Sequence, residues 1–219
     1  MYQLIDLTLT LNSGPCIYEE LIPNLPQVRI EPFATVAADG FATDMLHIPG
    51  LAGTYLETSA HLFADGPALE TIPPERFIRP ATVIQLPDQA PNASISLELL
   101  RTYAPEIDSG NAVLIATGWE AHHTEADYIA GSPSLTREAA AWLMGKKPSI
   151  IGGDLTTNDN PADPQGVNEI IFGEGALLLA PLINLRAIAQ SHVTLFALPA
   201  KIASVCGAPC RALAMQETS

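Results

Sequence analysis

The sequence predicts one α/β domain, residues 1–219, built on a mixed sheet. Three observations carry this. The chain has 219 residues, 47% of them hydrophobic and 16% charged, which suits one sizeable buried core rather than a disordered chain. Short runs such as Ala112-Val113-Leu114-Ile115-Ala116 contain no polar residue, as in a strand covered on both faces. The order of elements is strands first, then strands and helices in alternation, with no internal repeat or linker.

Taken in order, Leu4 to Leu9 reads as a strand that ends at the turn Asn12-Ser13-Gly14-Pro15. Residues 15–40 are rich in proline and weakly periodic, with a strand around Val28-Arg29-Ile30. They read as an extended arm toward a neighbouring subunit or as a surface loop. Thr43 to Ile48 is a strand broken by Pro49-Gly50. Ile72 to Phe77 is one helical turn opened by proline, whose missing N–H costs nothing there. Ala81 to Leu86 is a buried strand, and Ser96 to Tyr103 a helix capped by Ser94 or Ser96. Ala112 to Thr117 is a central strand with Gly118-Trp119 at its carboxyl end, where α/β proteins place ligands. Thr136 to Lys146 is the clearest helix, with Thr136 as cap and Glu138 in the first turn. Ser149 to Gly153 is a buried strand, and Asn158 to Gly166 a loop. Strands follow at Gly175 to Leu179, Val193 to Leu198 and Arg211 to Met215, with a loop and short helix over Leu182 to Ala189.

Composition excludes several classes of partner. The formal charge is −14, and ten Lys+Arg are scattered along the chain with no basic patch. Nucleic acid and anionic membranes are therefore not expected partners. Cys16, Cys206 and Cys210 form no CxxC pair, and an odd count without a framework points to a reducing compartment. No signal-peptide pattern opens the chain and no apolar run reaches membrane-spanning length. The expected location is the cytoplasm.

The chemistry concentrates in Gly53-Thr54-Tyr55-Leu56-Glu57-Thr58-Ser59-Ala60-His61-Leu62-Phe63. A phenol, a carboxylate and an imidazole fall within seven positions. In a strand, Tyr55, Glu57, Ser59 and His61 would share one face. His61 titrates near neutrality and suits general acid/base work. Glu57 would orient it or share the proton, and Tyr55 would donate to a carbonyl oxygen. The plain alternative is a structural Glu57–His61 pair. Trp119 would wall the pocket or belong to the core. The pair His122 and His123 reads as a solvated helix end, and His192 as structural. Asn158, Asp159 and Asp163 lack a calcium-loop pattern.

Several words in this order resemble the cyclase family that includes bacterial kynurenine formamidase and isatin hydrolase. They are Ile5-Asp6-Leu7-Thr8, Ile72 to Phe77, Thr117-Gly118-Trp119, Leu135 to Ala140, Gly153-Asp154, Ala197 to Lys201 and Gly207 to Ala212. The resemblance implies a swivelling β/α/β domain, seen as a homodimer or homotetramer. It also implies the motif HxGTHxDxPxH with one or two divalent metals. Here the motif's first two histidines fall on Leu51 and Tyr55, its aspartate on Glu57, its proline on Ser59 and its last histidine, an acid/base in the family, on His61. A further histidine and glutamate of the family fall on Asn168 and Ala180. A divalent site wants three or four N, O or S donors, so neither metal nor other cofactor is expected.

These readings converge on a metal-independent cyclase-family enzyme. It would cyclise, dehydrate or hydrolyse a small cyclic or carbonyl-containing metabolite. His61, Glu57 and Tyr55 are the expected catalytic groups, and Trp119, Phe63, Leu51 and Asn168 the expected substrate contacts. Two rivals remain open at this point: a non-catalytic binding protein on the same scaffold, and an amide or lactam metallohydrolase with a site rebuilt from Glu57, His61, His47 or Asp154.

Overall fold

The computed structural model describes residues 1–218. Its strands, in chain order, are β1 (Tyr2–Asp6), β2 (Arg29–Ala34), β3 (Thr43–His47), β4 (Tyr55–Glu57), β5 (Ile78–Gln85) and β6 (Ser94–Ile95). They continue with β7 (Ala112–Ala116), β8 (Ser134–Leu135), β9 (Ile150–Gly153), β10 (Leu177–Ala180), β11 (His192–Pro199) and β12 (Gly207–Glu217). Helices α1 (Val36–Asp39), α2 (Leu97–Tyr103), α3 (Arg137–Met144) and α4 (Val167–Gly173) are short.

Eight strands form one mixed sheet in the order β1-β12-β11-β5-β7-β9-β10-β4. β5, β7, β9 and β10 run parallel, and their neighbours are antiparallel. β12 is long enough to pair with β1 and β11 along its second half and with β4 through Gly207–Pro209. Because β4 also pairs with β10, the sheet closes on itself as a barrel.

Strand alternation explains the apolar runs. In β7, Ala112, Leu114 and Ala116 enter the barrel core with Val83, Leu179 and Leu195. Val113 and Ile115 face outward, into a second core with Leu100 of α2, Leu143 of α3 and Ile171 of α4. Each such fully buried large side chain contributes roughly 1.5–3 kcal/mol. The same parity runs through β4: Leu56 belongs to the barrel core and Tyr55 to the outer one.

The expected caps are present. Ser96 accepts from Leu99 N and Thr136 from Ala139 N. Three departures bear on the site. The strand expected to run through His61 ends at Glu57. Helix α4 was not expected, because its cap is remote in sequence: Asp159 Oδ2 accepts from Val167 N at 3.0 Å. The segment expected as an arm is divided. Cys16 and Tyr18 are buried on their own chain, whereas the β2–β3 hairpin stands out with Phe33, Val36 and Phe41 exposed.

Candidate active site

β4 stops after three residues because Thr58 turns the chain. Its amide donates to Cys206 O at 2.8 Å, and its hydroxyl donates to Pro67 O at 2.7 Å and accepts from Ala60 N at 3.3 Å. These bonds roll Ser59–His61 into a 3-10 turn. Gly66 packs against that turn so closely that a Cβ would lie 2.3 Å from Ala60 N. The turn brings His61 back beside Glu57, with Nδ1 and Oε2 3.4 Å apart. A shared strand face is therefore not what joins them, and only Tyr55 and Glu57 share one.

Glu57 is enclosed from behind by β12, where a Cβ on Gly207 would meet the Glu57 Cβ at 2.9 Å. Its side chain is 6% exposed and Oε2 has no hydrogen-bond partner. Burial without a compensating bond pushes its pKa up to about 8 from an ordinary 4.5. Burial also holds His61 below its ordinary 6.5, although its side chain is 32% exposed. Near neutrality Glu57 thus carries a proton and His61 does not. The Phe172 ring of α4 packs 6.2 Å from the imidazole.

Tyr55 points to a partner that the sequence did not announce. Tyr18 donates to Thr156 O at 2.7 Å, and a carbonyl can only accept. The Tyr18 oxygen is therefore the acceptor for Tyr55, 3.1 Å away. The Tyr55 proton is engaged in this chain, so the carbonyl-donor role expected for it has no free hydrogen behind it. Burial raises the pKa of both phenols, and neither ionises near neutrality.

These groups line a cavity of about 150 Å³. Tyr18, Tyr55, Leu51, Ile22 and Leu178 form its apolar walls. Thr156, Thr157 and Asn158, just beyond the carboxyl end of β9, and Asn168 on α4 complete the lining. Four of the residues that line it each carry a shielded polar atom without a partner: Glu57 Oε2, Thr156 Oγ1, Thr157 Oγ1 and Asn168 Oδ1. Native interiors leave few polar atoms unpaired, so four such residues around one cavity make it the candidate site. Larger depressions of about 370 and 390 Å³ flank His123. Neither is lined by Glu57 or His61, and His123 Nδ1 is held by Glu120 O at 2.9 Å.

Of the expected residues, Leu51, Tyr55, Glu57, His61 and Asn168 line the cavity, and Trp119 and Phe63 do not. Gly118 adopts a left-handed turn after β7 that sends the indole inward, where Nε1 donates to Tyr128 O at 2.8 Å. Phe63 packs against the outer core. Sequence reasoning missed Tyr18, Thr156 and Thr157; a tyrosine in an irregular segment and two threonines after a strand carry no spacing signal.

The metal that the resemblance implies does not fit these residues. Leu51 and Ala180 offer no donor, Tyr55 is a neutral phenol whose proton is engaged, and Asn168 is a neutral amide. Glu57 and His61 alone fall short of a divalent coordination set. A rebuilt site is also absent among the described residues, where no three His, Cys, Asp or Glu side chains converge as a metal needs. His47 lies on the exposed hairpin. Asp154 is fully buried and accepts from Thr117 N, Thr117 Oγ1 and Glu120 N, so it ties β7 to β9 rather than facing the cavity.

Comparison with known proteins agrees with this architecture. The chain is 26% identical to the isatin hydrolase of Roseibium aggregatum over 97% of its own length and 91% of that protein. Isatin hydrolase A from Ralstonia solanacearum superposes with a TM-score of 0.83 at 24% identity, over 99% of this chain and 92% of that one. Isatin hydrolase A from Labrenzia aggregata, bound to benzyl benzoate, gives 0.83 at 25% identity, over 98% and 93%. The family model described as "Putative cyclase" matches residues 5–160, which take in β4 and the turn bearing His61, whereas β10 and β12, the strands that pair with β4, lie beyond the match. Sequence, barrel and family match together place the chain in the cyclase family, as an enzyme of hydrolytic or cyclase type.

Proposed function

We propose that the chain acts without a metal on a small uncharged carbonyl compound, with Glu57 as acid and His61 as base. One observation carries this reading: a buried carboxyl whose Oε2 has no hydrogen-bond partner sits 3.4 Å from an imidazole in a ring-sized cavity, where burial favours the uncharged form of each. A carboxylic acid kept neutral by burial can donate a hydrogen bond to a carbonyl oxygen and stabilise the charge that develops there. An uncharged imidazole can take a proton from a water, a hydroxyl or a carbon acid. Glu57 thus takes the electrophilic role first expected of Tyr55, and Tyr55 supports the wall beside it.

In ring opening of a cyclic amide, water adds to the carbonyl carbon and gives its proton to His61. The C–N bond then breaks, and His61 returns that proton to the departing nitrogen. In a dehydration, His61 takes a proton from carbon while Glu57 protonates the leaving hydroxyl. Positioned acid/base groups contribute roughly 10²–10⁴-fold each. A metal lowers the pKa of its bound water to about 7, and nothing in this cavity does so. Proton-transfer chemistry at carbon is therefore favoured over hydrolysis.

The relatives' name makes isatin the first compound to assay. His61→Ala is expected to lower turnover of isatin, or of whichever carbonyl compound the wild type converts, by at least about a hundredfold. Its circular dichroism spectrum should match the wild type. An unchanged rate, or a rate that chelation abolishes and added zinc or manganese restores, would overturn the proposal.

A further inference from the structure

Tyr18 belongs to a segment that leaves the body of the domain and returns to it at one point. Gly14 and Val28 exchange both of their backbone hydrogen bonds, each at 2.9 Å. Gly14 has φ +139°, a conformation that glycine adopts without strain. Residues 15–27 between them contain no strand or helix and form an Ω-loop, whose ends meet while its middle stands clear.

The hydrogen bonds of this loop are mostly internal. Glu19 N donates to Cys16 O, Leu21 N and Ile22 N to Tyr18 O, and Leu25 N to Ile22 O. Among the described residues, two O–H bonds alone cross from the loop to the rest of the chain: Tyr18 to Thr156 O, and Tyr55 to the Tyr18 oxygen. Cys16 Sγ adds a long contact of 3.9 Å to Leu51 O. A segment held by so few bonds opens locally at a lower cost than the whole domain unfolds.

The loop is also one side of the cavity, through Tyr18, Leu21 and Ile22. Residues 19–24 are all exposed, and Leu21 and Ile22 are 38% and 37% exposed although they line the cavity. Two apolar side chains that meet both cavity and solvent place the mouth at this loop. Its inward side is apolar as well: Cys16 packs with Ala52 and Val28, and Leu25 lies against them.

We infer that residues 15–27 are a lid, hinged at Gly14 and Val28 and latched by Tyr18 on Thr156 O. Release of that bond frees the loop as a unit and opens the cavity on the side of Leu21 and Ile22.

Thiol labelling with iodoacetamide, read by mass spectrometry, tests this. A Cys206→Ser background removes the one thiol that is only half-buried. Cys16 and Cys210 are both buried, Cys16 at the seam between the loop and Ala52, Cys210 in the barrel core. Cys16 should react at least about tenfold faster than Cys210. Its rate should barely change in dilute urea, whereas that of Cys210 should climb, since only global unfolding exposes much surface. Tyr18→Phe should speed Cys16 by about another tenfold, the worth of one hydrogen bond. Tyr55→Phe removes the longer bond across the same seam and should speed it about threefold, and it carries the test alone should Tyr18→Phe not fold. Equal rates and equal urea slopes for the two thiols would overturn the inference, because Cys16 would then be reached only when the domain unfolds. So would a Cys16 rate that neither variant changes, because the thiol would then be reached with the latch shut. No substrate enters the measurement. A lid that fails it leaves the acid–base reading standing, and a protein that turns nothing over leaves the lid standing.

Discussion

Glu57→Gln isolates the protonated carboxyl. Glutamine has nearly the same shape and never ionises, and Glu57 Oε2 has no hydrogen-bond partner to lose. Glu57 titrates at about 8 in the fold against 4.5 ordinarily. A pKa raised by folding contributes its full stability below pH 4.5, and that contribution is lost as pH rises toward 8. The slope is about 1.4 kcal/mol per pH unit, so the loss is roughly 3 kcal/mol by pH 7 and approaches 5 above pH 8. That is a large share of the roughly 5–15 kcal/mol that a domain of this kind possesses. Asp154, raised to about 6 from 3.8, adds a slope of its own at lower pH, but it is common to both proteins and cancels in the difference. Urea unfolding at pH 5, 6, 7 and 8.5 should therefore show the glutamine variant within about 1 kcal/mol of wild type at pH 5 and more stable by about 3 kcal/mol at pH 7. Parallel stability curves would mean that Glu57 is ionised in the folded protein, and the assignment of acid to Glu57 and base to His61 would fall with them.

The same protonation states shape catalysis. The rate should fall above about pH 8 as Glu57 ionises, and again below His61's lowered pKa as the imidazole gains a proton. A rate that climbs steadily through pH 9 would show that the carboxylate, not the acid, is active. The tyrosine chain makes an asymmetric prediction for urea unfolding. Tyr18→Phe leaves Thr156 O without its donor and should cost about 1–3 kcal/mol, whereas Tyr55→Phe removes only one hydroxyl–hydroxyl bond and should cost about 0.5–1.5. A larger loss for Tyr55→Phe would reverse the direction assigned to the chain.

The sequence announces the barrel better than it announces the cavity. The apolar runs of β7 and β9 name their own burial, because a strand covered on both faces has no room for polar residues. Thr136 and Ser96 name their helices, because an N-cap bond is local. The site depends on contacts that are not local. Tyr18 reaches Thr156 across 138 positions, and no periodicity encodes such a bond. The residues Tyr55, Glu57 and His61 were legible as a group but for a reason that fails: a strand face was expected, and a turn pinned by Thr58 and Gly66 joins Glu57 to His61 instead. Trp119 shows the opposite error. Its place after a central strand suits a ligand wall, but Gly118 turns it into the core.

On the proposed metal-independent reading, the residues themselves must do what an ion would do. A divalent ion in such a site would tie its ligand-bearing segments together, polarise a carbonyl and activate water. Tyr55, Tyr18 and Thr156 O form a relay of two hydrogen bonds that joins β4, the segment around Tyr18 and the turn after β9. On the proposed reading, Glu57 supplies the polarisation, and it can do so because the residue that would neutralise it, a nearby Lys or Arg, is missing from the cavity. Adding a cation would ionise the acid and remove its proton. The same argument explains why His61 can remain a base: a neutral carboxyl 3.4 Å away offers it no counter-charge that would hold its proton. His61 can take a proton from water but cannot lower its pKa as a metal does, so on the proposed reading substrates whose transformation needs only a proton moved between carbon and oxygen should outrun those that need hydroxide.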